Sequence, residues 1–89
     1  MIKTRVTIKN KLGLHARAAV KFVNLANRFS SFVKIVKDGS EIDGKSILGI
    51  LTLAATPGTQ IELKISGKDE AAARDALTAL IDNKFDERE

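Results

Sequence analysis

With 89 residues and 44% apolar side chains, the chain has material for one domain around one modest core, which excludes a disordered polymer and a multidomain assembly. It holds no cysteine, so disulfides, thiolate metal sites and thiol nucleophiles are excluded as well. Fifteen Lys and Arg against eleven Asp and Glu leave a net charge of +4, a bias toward acidic or phosphorylated partners that does not by itself separate a nucleic acid from an acidic protein.

Ile2, Thr4, Val6 and Ile8 alternate with Lys3, Arg5, Thr7 and Lys9, the period of two expected of a strand with one buried and one wet face. The alternation is unlike the continuous apolar run of a signal peptide, and no later stretch approaches the ~20 residues that span a bilayer. A cytoplasmic location without membrane insertion is therefore expected. From Ala16 to about Arg28 the period changes: Ala19, Phe22, Val23 and Ala26, continued by Phe29, form the apolar stripe of a first helix. "FVKIVK" (32–37) and "SEIDG" (40–44) flank Asp38-Gly39, a pair suited to a type I′ turn, so these two strands are predicted to be antiparallel neighbours. "SILGILTLAA" (46–55) is apolar for too long to be a half-exposed strand and opens on a serine suited to an N-cap, which predicts a short second helix ending before Pro57-Gly58. "QIELKIS" (60–66) alternates again and gives a fourth strand. "KDEAAARDALTALIDNKF" (68–85) has acids in its first turn and an apolar stripe at Ala73, Ala76, Leu77, Leu80 and Ile81, which predicts a third helix, with "DERE" as a frayed tail. The order is βαββαβα, and the expected fold is α+β: a two-layer sandwich of one four-stranded sheet with three helices on one face, as a single domain over residues 1–89.

The only histidine stands in "KLGLHARAAVKF". If the first helix begins at Ala16, His15 is its N-cap, beside backbone N–H groups of Ala16 and Arg17 that have no acceptor within the helix. Those donors form an anion site, and Arg17 adds a charge-assisted fork at a helix end where a cation is otherwise unfavourable. A phosphoryl group on the imidazole would supply the missing negative charge. The plainer alternative is a capping or surface histidine. No second His, no Cys and no Tyr accompany it, so no nucleophile–base–acid set is present, and a group that other proteins load and unload would need none.

"NKLGLHARAAVKFVNLA", "GKSILGILTLAATPGTQIEL" and "GKDEAAARDALTALI" together closely resemble the HPr phosphocarriers of the bacterial phosphoenolpyruvate-dependent phosphotransferase system, over nearly the whole chain. The resemblance implies an antiparallel four-stranded sheet and a monomeric carrier without cofactor or metal. It implies that His15 takes a phosphoryl group on Nδ1 from enzyme I and passes it to an enzyme IIA domain, with Arg17 as partner of the phosphate. It also matches Ser46 to a serine that an HPr kinase/phosphorylase modifies in many bacteria; read locally, Ser46 is a helix N-cap, and the two roles are compatible. Val20, Ile47, Leu48 and Leu51 become candidates for a partner-docking patch, with Ile50 and Leu53 serving the core. Ala18 stands where most of the family has proline, and Ala54 where glycine is frequent, the latter expected to touch only local packing. "DNKFDERE" and "KNKLG" are also similar to the nitrogen-related branch, which leaves a regulatory, partner-binding relative as the alternative function. A nucleic-acid-binding domain is the rival class; with no Trp or Tyr and all four Phe assigned to core stripes, no stacking platform is expected, and no Gly-x-x-Gly clamp is present.

Overall fold

The computed structural model describes residues 1–86; the last three residues of the predicted frayed tail lie outside the described residues. The elements are β1 (Ile2–Thr7), α1 (Ala16–Ala26), β2 (Phe32–Lys37), β3 (Ser40–Asp43), α2 (Ile47–Leu53), β4 (Gln60–Ser66) and α3 (Glu70–Asp82), followed by a short turn over Lys84–Asp86. All pairings are antiparallel and the sheet order is β1-β4-β2-β3. β2 and β3 turn through Asp38 (φ 50°) and Gly39 (φ 82°) with Lys37 opposite Ser40, the positive φ pair that a type I′ hairpin requires.

The period of two places Val6, Val33, Ile35, Ile61, Leu63 and Ile65 on one face of the sheet, all buried. Helical spacing on the other layer supplies Ala19, Phe22, Val23 and Ala26 from α1, Ile50 and Leu53 from α2, and Ala73, Leu77 and Ile81 from α3. These residues form one core, which is the two-layer α+β sandwich expected from the pattern.

Four expectations need correction. The third helix stops at Asp82, three residues short of its predicted end, because Lys84, Phe85 and Asp86 all take left-handed φ near 54–58°. That reversal swings Phe85 into the core, fully buried, where its carbonyl accepts a hydrogen bond from Lys21 Nζ at 2.6 Å. Burial of the ring, worth about 1.5–3 kcal/mol, offsets part of the ~1–2 kcal/mol that each left-handed residue costs. Second, of the acids predicted in the first turn of α3, Glu70 lies there but Asp69 is the N-cap residue and its side chain makes no cap hydrogen bond. Its carboxylate instead accepts from the Ser30 and Ser31 N–H groups at 2.8 and 3.0 Å and from the Ser31 hydroxyl, clamping the α1–β2 connection to the start of α3. Third, Ala54 is not a matter of packing alone. It adopts φ 51°, ψ 40° as the C-cap of α2, the conformation for which glycine is favoured. Fourth, Phe32 is no core residue: it is 77% exposed on the helix-free face of the sheet, whereas Phe22 and Phe85 are buried and Phe29 packs partly against the core.

Candidate functional site

The segment before α1 is held from three sides. Gly13 has φ +66°, and a Cβ added there would lie 2.4 Å from the Ala55 carbonyl oxygen, so only glycine fits this approach. Asn10, buried, donates through Nδ2 to the Gly13 carbonyl at 2.7 Å, and the same carbonyl accepts the His15 N–H at 2.9 Å. Leu14 is buried and donates its N–H to Ala55 O at 2.9 Å. The chain leaving α2 thereby fixes the chain entering α1.

His15 follows as the N-cap of α1, with extended backbone (φ −83°, ψ 178°), and its carbonyl accepts the Ala19 N–H at 2.9 Å. Its side chain is half-buried and makes no cap hydrogen bond. Ala16, Arg17 and Ala18 are the first three helical residues, whose N–H groups point out of the helix end beyond the reach of an i−4 carbonyl. No acidic residue stands in the first turn of α1, and exposed Arg17 enters none of the ion pairs found among the described residues. The positive end of the helix dipole and the charge of Arg17 therefore belong to the same first turn. Ala18 is buried within the helix, so the first turn forms with alanine at this position.

Ser46 caps α2: its Oγ accepts the Gly49 N–H at 3.0 Å. Beyond it Ile50 and Leu53 are buried, Ile47 and Leu48 are exposed at 38% and 76%, and Leu51 is half-buried against the core. Val20 is exposed on α1, which packs on α2. Sequence reasoning missed three contributors. Asn10 looks like an ordinary loop residue until its amide is seen to hold Gly13. Ala55 acts only through its carbonyl, for which no side-chain signal exists. Leu12, 65% exposed in the segment leading to His15, belongs to no periodic stripe; an unexplained leucine next to the glycine was the only cue.

The carboxylates with clearly lowered pKa lie elsewhere. Glu41 on β3 is held below its ordinary value chiefly by hydrogen bonding to Lys64 and then Lys34, and Asp69 by the Ser31 hydroxyl and the Ser30 N–H. Among the described residues no cluster of three or more His, Cys, Asp or Glu could hold a metal ion, and no helix is long and apolar enough to cross a membrane.

The protein is an open-faced α+β sandwich whose lone histidine is the N-cap residue of a helix with an arginine in its first turn. The family model described as "PTS HPr component phosphorylation site" matches residues 2–83. The chain is 52% identical over 89 residues to the phosphocarrier protein HPr of Neisseria meningitidis serogroup A, covering 100% of both chains. The crystal structure of an HPr from Thermoanaerobacter tengcongensis superposes with a TM-score of 0.96 at 43% identity, again over 100% of each chain. A crystal structure of an HPr dimer from the same organism matches with a TM-score of 0.79 at 44% identity, over 98% of this chain and 100% of that one. This chain belongs to the HPr family of phosphocarriers of the phosphotransferase system.

Proposed function

We infer that His15 is the group that carries the phosphate. An unprotonated ring nitrogen, Nδ1 as the family resemblance implies, attacks the phosphorus of the phosphohistidine on enzyme I. One N–P bond forms at His15 as the donor's N–P bond breaks, and the electron pair returns to the donor imidazole. Transfer to a histidine of an enzyme IIA domain repeats the exchange with His15 as leaving group, so the protein needs neither acid nor base of its own. Arg17 and the N–H groups of Ala16 and Arg17 stabilise the charge on the phosphoryl oxygens during both steps. The observation that carries this reading is the position of the chain's only imidazole as N-cap of a helix with no acid in its first turn.

Val20, Ile47, Leu48 and Leu51, joined by Leu12, form the apolar ground on which both partners dock in turn. A face that must meet two partners has to stay open, so the carrier works as a monomer although a relative is recorded as a dimer. Ser46 is the second modification site, taken by an HPr kinase/phosphorylase. Phosphate added there places about −1.5 to −2 charges beside Ile47 and Leu48 and opposes docking without unfolding the helix. The test of the carrier role is a chase: the protein is loaded with phosphoenolpyruvate and catalytic enzyme I, freed of both, and mixed with an enzyme IIA domain. Stoichiometric appearance of phosphate on that domain is expected; a loaded protein that binds the domain yet retains its phosphate would make this a regulatory relative instead.

A further inference from the structure

The sheet face turned away from the helices carries an arrangement that folding does not call for. Strand register sets Lys3 of β1 opposite Lys64 of β4, and Lys64 opposite Lys34 of β2, so three lysines stand in one row on adjacent strands roughly 5 Å apart. Like charges directly opposite one another weaken a sheet. Asp43 of β3 ends the row opposite Lys34, and Glu41 lies 3.3 Å from Lys34 Nζ and 3.2 Å from Lys64 Nζ, while Lys3 enters none of the ion pairs among the described residues. Arg5 extends the basic strip one row further along β1, opposite Glu62. Beside the lysines Phe32 stands 77% exposed, opposite Ser66, and a shallow depression is lined by Met1, Phe32, Lys34, Glu41, Lys64 and Ser66. An exposed ring next to a repulsive row of cations stabilises little here, but both features suit a bound ligand.

We propose that this open sheet face is a second docking surface, independent of His15, for an acidic protein segment with an apolar side chain. Carboxylates of the segment sit against Lys3 and against Lys64, which they share with Glu41, and its apolar residue fills the depression beside Phe32. Charge complementarity selects the anion. The acids interleaved on the same face, Glu41, Glu62 and Asp43, the last opposite Lys34, repel an unbroken phosphodiester backbone, so spaced protein carboxylates fit where single-stranded nucleic acid does not.

The experiment titrates the 15N-labelled full chain with three probes: a synthetic peptide with one phenylalanine among glutamates, its glutamine-for-glutamate counterpart, and a single-stranded oligothymidylate. The acidic peptide is expected to shift the amide signals of Lys3, Phe32, Lys64 and Ser66, to leave Ala16–Val20 unmoved, and to bind His15→Ala equally well. The glutamine peptide binds more weakly, and Lys3→Gln and Lys64→Gln each weaken acidic-peptide binding by up to about fivefold, as loss of one exposed charge pair does. The proposal is overturned by an absence of saturable shifts, by shifts confined to α1, by lysine variants with parent-like spectra that bind as the parent does, or by tighter binding of the oligothymidylate on this face. Since His15→Ala removes the carrier function but not this surface, failure here and failure of the carrier reading are distinguishable.

Discussion

Replacing Gly13 with alanine separates the two things the approach to His15 needs, a left-handed backbone and room. The φ of +66° costs an L-residue about 1–2 kcal/mol, of which ~0.4–1 kcal/mol is returned by the stiffer unfolded chain. The new Cβ also meets Ala55 O at 2.4 Å and Thr56 Cα at 3.2 Å, backbone atoms that cannot swing aside. Relief requires stretching the 2.9 Å hydrogen bond from Leu14 N–H to Ala55 O, and losing it with both groups buried costs a further ~1–3 kcal/mol. Gly13→Ala should therefore lose about 1–5 kcal/mol out of the 5–15 typical of a domain, remain folded, and transfer phosphate slowly because His15 moves with the loop. Gly39→Ala is the control: its φ is +82° but nothing lies within 4 Å of the added Cβ, so it loses only the backbone contribution and transfers normally. Urea unfolding with a transfer assay on both variants decides the matter; equal losses of stability with parent-like transfer in Gly13→Ala would refute the reasoning.

Ala54→Gly, at φ 51°, should stabilise the protein by about 0.5–1 kcal/mol, the left-handed cost relieved less the entropy regained by the unfolded chain, read as a higher urea midpoint with unchanged slope. Asp69, held below the ordinary aspartate value of 3.8 first by the Ser31 hydroxyl and then by the Ser30 N–H, contributes stability that is present above its unfolded pKa and lost as pH falls through its lower folded one. Urea midpoints at neutral pH and below pH ~4 should accordingly differ less for Asp69→Asn than for the parent. Ser46→Ala should lose roughly 1 kcal/mol with the cap to Gly49 and keep normal transfer, whereas Ser46→Asp should melt like the parent and accept phosphate from enzyme I more slowly; parent-like rates in Ser46→Asp at moderate salt would leave Ser46 a cap only.

The parts of the fold that follow from periodicity are legible in the sequence. Alternation in β1 and β4, the stripe of α1 and the Asp38-Gly39 turn each encode their own local geometry. What escaped was set by contacts remote in sequence. Phe85 lies four residues beyond Ile81, at helical spacing, yet the chain reverses before it and the ring enters the core from a left-handed turn whose carbonyl meets Lys21. Asp69 looks like a helix-starting acid but answers to Ser30 and Ser31, nearly forty residues away. Phe32 reads as one more apolar strand residue, and only strand register shows that it falls on the open face with the lysines. At the site the split is similar: His15, Arg17 and Ser46 announce themselves by residue type and place, while the Ala55 carbonyl and the Asn10 amide that hold His15 in position carry no recognisable pattern.

The proposed function requires that one phosphoryl group be carried on His15. Intact mass of the parent and of His15→Ala after incubation with phosphoenolpyruvate and enzyme I tests it most directly. The parent should gain the mass of a single phosphoryl group, lost again on brief acid treatment as a phosphoramidate is, and His15→Ala, folded by circular dichroism, should gain none. An acid-labile phosphoryl group on His15→Ala, or an acid-stable one on the parent, would contradict the account.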